Sequence, residues 1–334
     1  MDKLIIHFVG NKNNGDGVKF SNSLTDFDKI DDYVMPLIHN TFKSDEFHQF
    51  YFIPTIELNP MYQFISSVFN NQDSFIEQSQ NAARYLYDKS NHPQIKGGEL
   101  GVAYIKDCRF EDEEVDCIVI FKSESKETVL EVNSVKNGLN LKNVKGLSTR
   151  KLDKGCLIFN TSKETGFILS VIDNRNSEAQ YWKDEFLCIQ PIKNEYHQTN
   201  EFLGITKEFI TNELSDFEIS KSDQIDLLNR SVDYFKSHSN FDKAEFENEV
   251  FSDDSLIESF QKFDQQFREE NKVELLDQFE ISTSAVKKQA RVFKKVLKLD
   301  KNFHIYIHGD SELIKQGVDD DGRKFYKIYY QDEA

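Results

Sequence analysis

The 334-residue chain sets 41 Lys and Arg against 58 Asp and Glu, a formal charge of −17, and is 38% hydrophobic and 13% aromatic. That acidity excludes a protein that coats nucleic acid through bulk charge, and 29 Phe and 13 Tyr against five Pro exclude a disordered chain. No run of about 18 apolar residues occurs, and the apolar part of MDKLIIHFVGNK is too short for a signal sequence. A soluble, cytoplasmic protein of about two domains with no membrane partner is therefore expected.

LIIHFVG, residues 4–10, has the apolar density of a buried strand, and the Gly- and Asn-rich turn to Gly17 leads to a hairpin partner over Val18–Asn22. Phe27, Ile30, Val34, Leu37 and Ile38 have helical spacing, with Pro36 a kink or boundary. Asn59 followed by Pro60 is a helix-start signal for MYQFISSVF, and a second helix is predicted over 73–89. Residues 97–124 (GGELGVAYIKDC…VDCIVIFKSE) predict an antiparallel hairpin at the heart of the first domain, with short strands at 129–132, 155–159 and 167–172. Between the first two of these strands, Lys136, Lys142, Lys145, Arg150, Lys151 and Lys154 face only Asp153, a net +5; the interspersed Gly and Asn make this a basic loop. Tyr181, Trp182, Phe186 and Leu187 predict a buried helix over 179–192.

The reading is thus α+β: an N-terminal domain, 1–200, with an antiparallel sheet, then a mainly helical lobe, 201–334, ending in a basic helix and a short strand pair. Residues 207–280 carry eight cations against twenty carboxylates, a net −12. The next stretch, ISTSAVKKQARVFKKVLKLDK (281–301), reverses the sign. Lys287, Lys288, Arg291, Lys294, Lys295, Lys298 and Lys301 face only Asp300, a net +6. Ser282, Thr283 or Ser284 can cap a helix whose one side (Val286, Ala290, Phe293, Leu297) packs while Lys287, Arg291, Lys294 and Lys298 form a cationic stripe. Such a stripe can line DNA phosphates, dock against the acidic residues upstream, or remain solvated. FHIYIHG (303–309) and RKFYKIYY (323–330) are predicted as the terminal strands.

Catalytic patterns are not found. His304 and His308 could share a strand face but lack a third ligand, and Glu114, Asp116 and Lys122 lack the spacing of a nuclease's carboxylate-x-lysine element. Cys108, Cys117, Cys156 and Cys188 lack paired zinc spacing and are expected as free thiols. No catalytic residue, metal or cofactor is assigned.

The order of LIIHFVGNK, NAARYLYDKS…KGGELGVAYIKDC…VDCIVIFKSE, WKDEFLCIQPI and STSAVKKQARVFKKVLKLDKNFHIYIHGDSELI…RKFYKIYY resembles the bacterial nucleoid-associated family usually called the 37-kilodalton family. That resemblance implies a protein found with the nucleoid that contacts DNA or DNA-bound machinery, with no family-wide catalytic residues. Together with the charge pattern, it leads to the expectation of a noncatalytic protein that binds double-stranded DNA with low sequence specificity. The candidate contacts are Lys287, Lys288, Arg291, Lys294, Lys295 and Lys298, with Lys142, Lys145, Arg150 and Lys151. A homodimer would double that surface. The alternatives are a module recruiting DNA-processing or defence proteins through the acidic lobe and, further off, a metal-dependent nuclease.

Overall fold

The computed structural model describes residues 1–136, 138–174, 181–216, 219, 221–293, 296–299, 303–306 and 313–330. The chain is α+β and divides into two compact units, Met1–Ile192 and Lys193–Ala334.

The first unit contains β1 (Lys3–Val9), β2 (Val18–Lys19), α1 (Asp31–Thr41), β3 (Phe47–Phe50), α2 (Pro60–Asn70), α3 (Phe75–Lys89), β4 (Gly98–Phe110) and β5 (Glu113–Ser123). There follow β6 (Glu127–Val135), β7 (Gly138–Gly146), β8 (Lys154–Phe159), β9 (Ile168–Asp173) and β10 (Ile189–Pro191). Eight strands form one antiparallel sheet in the order β10-β3-β9-β8-β5-β4-β1-β2. Its centre is the β4–β5 hairpin, where residues of both strands are buried on both faces. Leu100, Val102, Tyr104, Ile118 and Ile120 pack in one core with Met61, Ile65, Phe75, Leu86 and Trp182. The intervening Ala103, Ile105, Val119 and Phe121 pack in a second core with Leu4, Leu37, Ile38 and Leu152. Alternate side chains point to opposite faces of a strand, so one run of apolar residues supplies both cores.

Local signals account for the covering helices. Asn59 Oδ1 accepts hydrogen bonds from the backbone N–H of Met61 (2.9 Å) and Tyr62 (3.1 Å), with Pro60 at the first helical position. The Asn59 side-chain amide donates to the carbonyl oxygens of Leu187 and Cys188, both at 3.0 Å, tying the start of α2 to the segment before β10.

Three expectations need correction. The segment from Gly138 to Gly146 is not a loop: β6 and β7 pair along their full length, from Glu127↔Gly146 to Val135↔Gly138, as a two-stranded ribbon exposed on both faces. The expected helix over 179–192 is one π-helical turn, Trp182–Leu187, which ends at Cys188 with φ 50° before the chain enters β10. Lastly, the C-terminal strands form two hairpins rather than one pair, as described next.

The second unit contains α4 (Glu195–Asn212), α5 (Lys221–Ser237), β11 (Asn240–Asp242), α6 (Lys243–Val250), α7 (Asp254–Asn271), β12 (Gln278–Glu280) and α8 (Thr283–Val292). Two hairpins follow: β13 (Val296–Leu299) with β14 (Phe303–Tyr306), and β15 (Ile314–Val318) with β16 (Lys324–Ile328). Its core is a phenylalanine cluster in which Phe202 meets Phe241 (4.3 Å between ring centroids), Phe246 (5.1 Å) and Phe260 (6.0 Å). Ring pairs at these separations add to the burial of their large apolar area. All four cysteines are free.

One buried titratable group ties β1 to α3. The His7 ring is 2% exposed; its Nδ1 accepts from the Ser21 backbone N–H (3.1 Å) and its Nε2 lies 3.0 Å from Ser79 Oγ. Ser79 Oγ donates to the Ile76 carbonyl, so the neutral ring with its proton on Nε2 satisfies every partner. Burial holds the His7 pKa down at about 4, against 6.5 for a free ring. The unfolded chain therefore takes up a proton at higher pH than the folded chain, and stability falls as pH drops from 6.5 towards 4 and is unaffected above that window. The loss is expected to be on the order of 2–3 kcal/mol. His7→Gln should remove that part of the slope, read from urea unfolding free energies across the same pH range; an unchanged slope would locate the acid sensitivity elsewhere.

Candidate nucleic-acid interface

The cationic helix is built outward from the aromatic core of the second unit. Ser282 caps α8: its Oγ accepts from the Ala285 N–H (3.4 Å) and its own N–H donates to Thr199 Oγ1 (3.0 Å) on α4. Ala285, Val286 and Phe293 are buried and Ala290 packs against the same cluster, so one side of α8 is fixed against α4 and α5. Gln289 adds a polar tie, its amide donating to Asn200 Oδ1 at 2.8 Å. At about 100° per residue, the opposite side must present Lys287, Lys288 and Arg291, and all three are exposed. Lys288 Nζ stands 5.5 Å from the Tyr196 ring centroid, a cation–π contact that leans its stem along the surface. Among the described residues, Lys287 and Arg291 have no carboxylate at salt-bridge distance.

The helix is shorter than its sequence pattern. It ends at Val292, where Phe293 leaves helical geometry (ψ 84°), and the chain re-forms as β13. Lys298 is thus a strand residue in register with His304, not the fourth member of a helical stripe. The cause is tertiary: VLKL is apolar at three of four positions and has a β-forming partner, FHIY, immediately downstream. Lys294 and Lys295 lie outside the described residues, as does His308.

In the first unit the expected basic patch is reduced. Lys142 and Lys145 stand on opposite faces of the ribbon, Lys142 across from Glu131 and Lys145 across from Thr128. Arg150 and Lys151 are exposed in the return to β8, held between two anchors: Ser148, whose Oγ donates to Glu127 (2.7 Å), and the buried Leu152. Lys154 is no part of any surface. It is 1% exposed, paired to Asp173 at 2.6 Å, and its ammonium lies 5.2 Å from the Tyr181 ring centroid. The fully buried Lys122 lies against the same ring at 5.4 Å, donating to the Lys96 carbonyl (2.7 Å) with Glu124 at 3.2 Å. Burial lowers the Lys122 pKa, opposed by the Glu124 carboxylate.

That placement also dissolves the loose nuclease-like set. Glu114 is exposed, Asp116 is hydrogen-bonded by the Tyr104 hydroxyl, and Lys122 lies six residues along β5, about 20 Å away on an extended strand.

A family model described as nucleoid-associated protein YejK matches residues 5–334. The chain belongs to that family. No curated protein matches it. In this member of the family, the match spans nearly all of both units, and among the described residues no helix is long and apolar enough to cross a membrane.

Sequence reasoning missed one feature of this region, the apolar character of the β6–β7 ribbon. The signal was there: Asn137-Gly138 is a hairpin-turn dipeptide, flanked by alternating Leu130, Val132 and Leu139, Leu141.

The two neighbouring lysines of the return segment should separate cleanly on substitution. Lys154→Met leaves Asp173 without its cation and is expected to cost about 3 kcal/mol, whereas Lys151→Met, on the surface, should stay within about 0.5 kcal/mol of the parent. Urea denaturation of both variants checks this; equal effects would contradict the burial assigned to Lys154.

Proposed function

We propose that this nucleoid-associated protein is a noncatalytic binder of double-stranded DNA that grips phosphates through α8 without reading bases. The observation that carries this reading is the outward set Lys287, Lys288 and Arg291, held at fixed spacing by a helix whose other side is buried in an aromatic core. Lys294, Lys295 and Lys298 follow in sequence and add to the same basic stretch; Lys142, Lys145, Arg150 and Lys151 form a second set on the first unit. α8 offers no free Asn or Gln for reading adenine, since its one amide side chain, Gln289, is engaged with Asn200.

The acidic remainder shapes how such a grip works. A net charge of −17 repels DNA at long range, while contact charges within about a Debye length, roughly 8–10 Å, act at close quarters. Binding is local, modest in affinity and cytoplasmic, at the nucleoid. Kinship to a nucleoid-associated family supports the setting.

A second reading rests on the acidic segment 207–280. Around a cavity of about 650 Å³, Asp242, Glu247 and Asp277 stand beside Lys243, an arrangement suited to a basic segment of a DNA-processing protein. Under this reading, a pull-down would survive nuclease treatment and depend on those carboxylates.

Titrating duplex DNA against salt tests the first reading. Three phosphate contacts give a slope of about −2.7 in log affinity against log salt. Lys287→Glu with Lys288→Glu and Arg291→Glu should abolish binding at low salt, and each single change to Ala should flatten the slope by about one. Binding that is absent in the parent, or unaltered by the triple reversal, rejects the grip; cleavage of plasmid in Mg²⁺ or Mn²⁺ rejects the noncatalytic part.

A further inference from the structure

We propose that the β6–β7 ribbon is a dimerisation arm whose apolar face seats in an uncharged groove on a second copy of this chain, each copy giving an arm and receiving one. The register assigns the faces. Glu131, Asn133, Lys142 and Asn140 lie on one side, with Val129, Val135 and Val144 between them; Leu130, Val132, Leu139 and Leu141 lie together on the other, with Lys145 at the foot. Those four apolar residues are 60–74% exposed. An isolated two-stranded ribbon is marginally stable in water, and four contiguous aliphatic side chains on its exposed face call for a cover.

The complementary surface is on the same unit. Ile30, Tyr33, Val34 and Leu37 from α1 and its approach, with Phe121 and Leu147, line a cavity of about 260 Å³ whose lining contains no charged residue. Tyr33 and Ile30 at its rim are 60% and 39% exposed. The volume lies below the range of about 300–1,000 Å³ typical of small-ligand sites, and suits a few aliphatic side chains. Leu147 immediately follows β7, so the foot of the arm lies on the rim of the groove. A two-fold pair can therefore cross arms and close, whereas a foreign partner would satisfy only one of the two surfaces.

Area and charge favour this occupant. Nine residues per strand at about 3.4 Å each, and two strands about 4.8 Å apart, give a face of roughly 30 by 10 Å. Two such faces and the two surfaces that receive them bury on the order of 1,200 Å², the lower bound for a specific interface. Copies each carrying −17 repel one another, so a stable contact must bring no like charges close: the groove lining is uncharged, and the arm's apolar face has a single charged residue, Lys145 at its foot, a cation between two acidic copies.

This inference stands apart from the DNA grip, and its test contains no DNA. Sedimentation equilibrium of the full chain should give a dimer that holds or tightens as salt rises, since salt screens the repulsion. Leu130→Asp with Leu141→Asp on the arm, and separately Tyr33→Asp at the groove, should each raise the dimer dissociation constant at least about 100-fold. These positions are exposed, so circular dichroism and melting temperature should match the parent. Mixing the arm variant with the groove variant restores one intact arm-in-groove contact, and association should partly return. A parent that stays monomeric at about 100 μM, or a dimer indifferent to both variants, overturns the proposal, as does a mixture that associates no better than either variant alone.

Discussion

The β4–β5 hairpin imposes the constraint that organises the first unit: its strands are apolar on both faces, so the sheet needs a cover on each side. One cover is substantial, from α2, α3 and the turn that carries Trp182. The other rests on α1, of eleven residues and about 16 Å, with Leu152 beside it. Phe121 fills part of this thinner side by lying flat over Gly101 on the neighbouring strand, where an added Cβ would stand 2.1 Å from the ring. The cavity between α1 and Phe121 is what remains of that unequal cover, so the groove follows from the same alternation that makes the two cores.

Cations in this molecule fall into two classes with opposite energetics. Lys122 and Lys154 are taken out of water and survive there through carboxylates, a carbonyl and the face of Tyr181; their role is to fix the end of β5 and β8 against that tyrosine. Removal of either partner would strand a buried charge, which makes such groups poor material for a binding surface. Lys287, Lys288 and Arg291 are exposed, Lys288 against the ring of Tyr196, and what the fold supplies is their spacing. A summed charge over a segment cannot separate these classes, which is why the net +5 of 136–154 overstated the surface available there.

Much of the fold was legible where a chemical signal is local. Asn59-Pro60, the Gly10–Gly17 turn and the long apolar runs of β4 and β5 each specify their element within a few residues. The helix that was read too long has a plain cause: periodicity alone does not distinguish a short helix from a strand when apolar and charged residues alternate irregularly. VFKKVLKL satisfies a helical stripe, yet 296–299 pairs with 303–306 because the downstream strand offers hydrogen bonds in register. The segment after Lys136 looked like a loop because it is polar and Gly-containing, a composition that outweighed the Asn-Gly dipeptide and the alternating Leu139 and Leu141 beside it. For the candidate interface, the anchor side of α8 was readable from Val286, Ala290 and Phe293, while its length was set by contacts distant in sequence.

The two proposed contacts draw on different physics, and their coexistence in one acidic chain is coherent for that reason. Phosphate contact releases counterions and weakens as salt rises; apolar contact between two like-charged copies gains as salt screens their repulsion. A monomer has a single cationic helix working against a net −17, which limits what it can hold. Pairing through apolar surfaces brings a second α8 to the same duplex at high effective concentration without adding any basic residue to the chain. Intermediate salt is then the regime in which the paired form and its grip on DNA are both populated, and the acidic bulk prevents either contact from extending into indiscriminate aggregation.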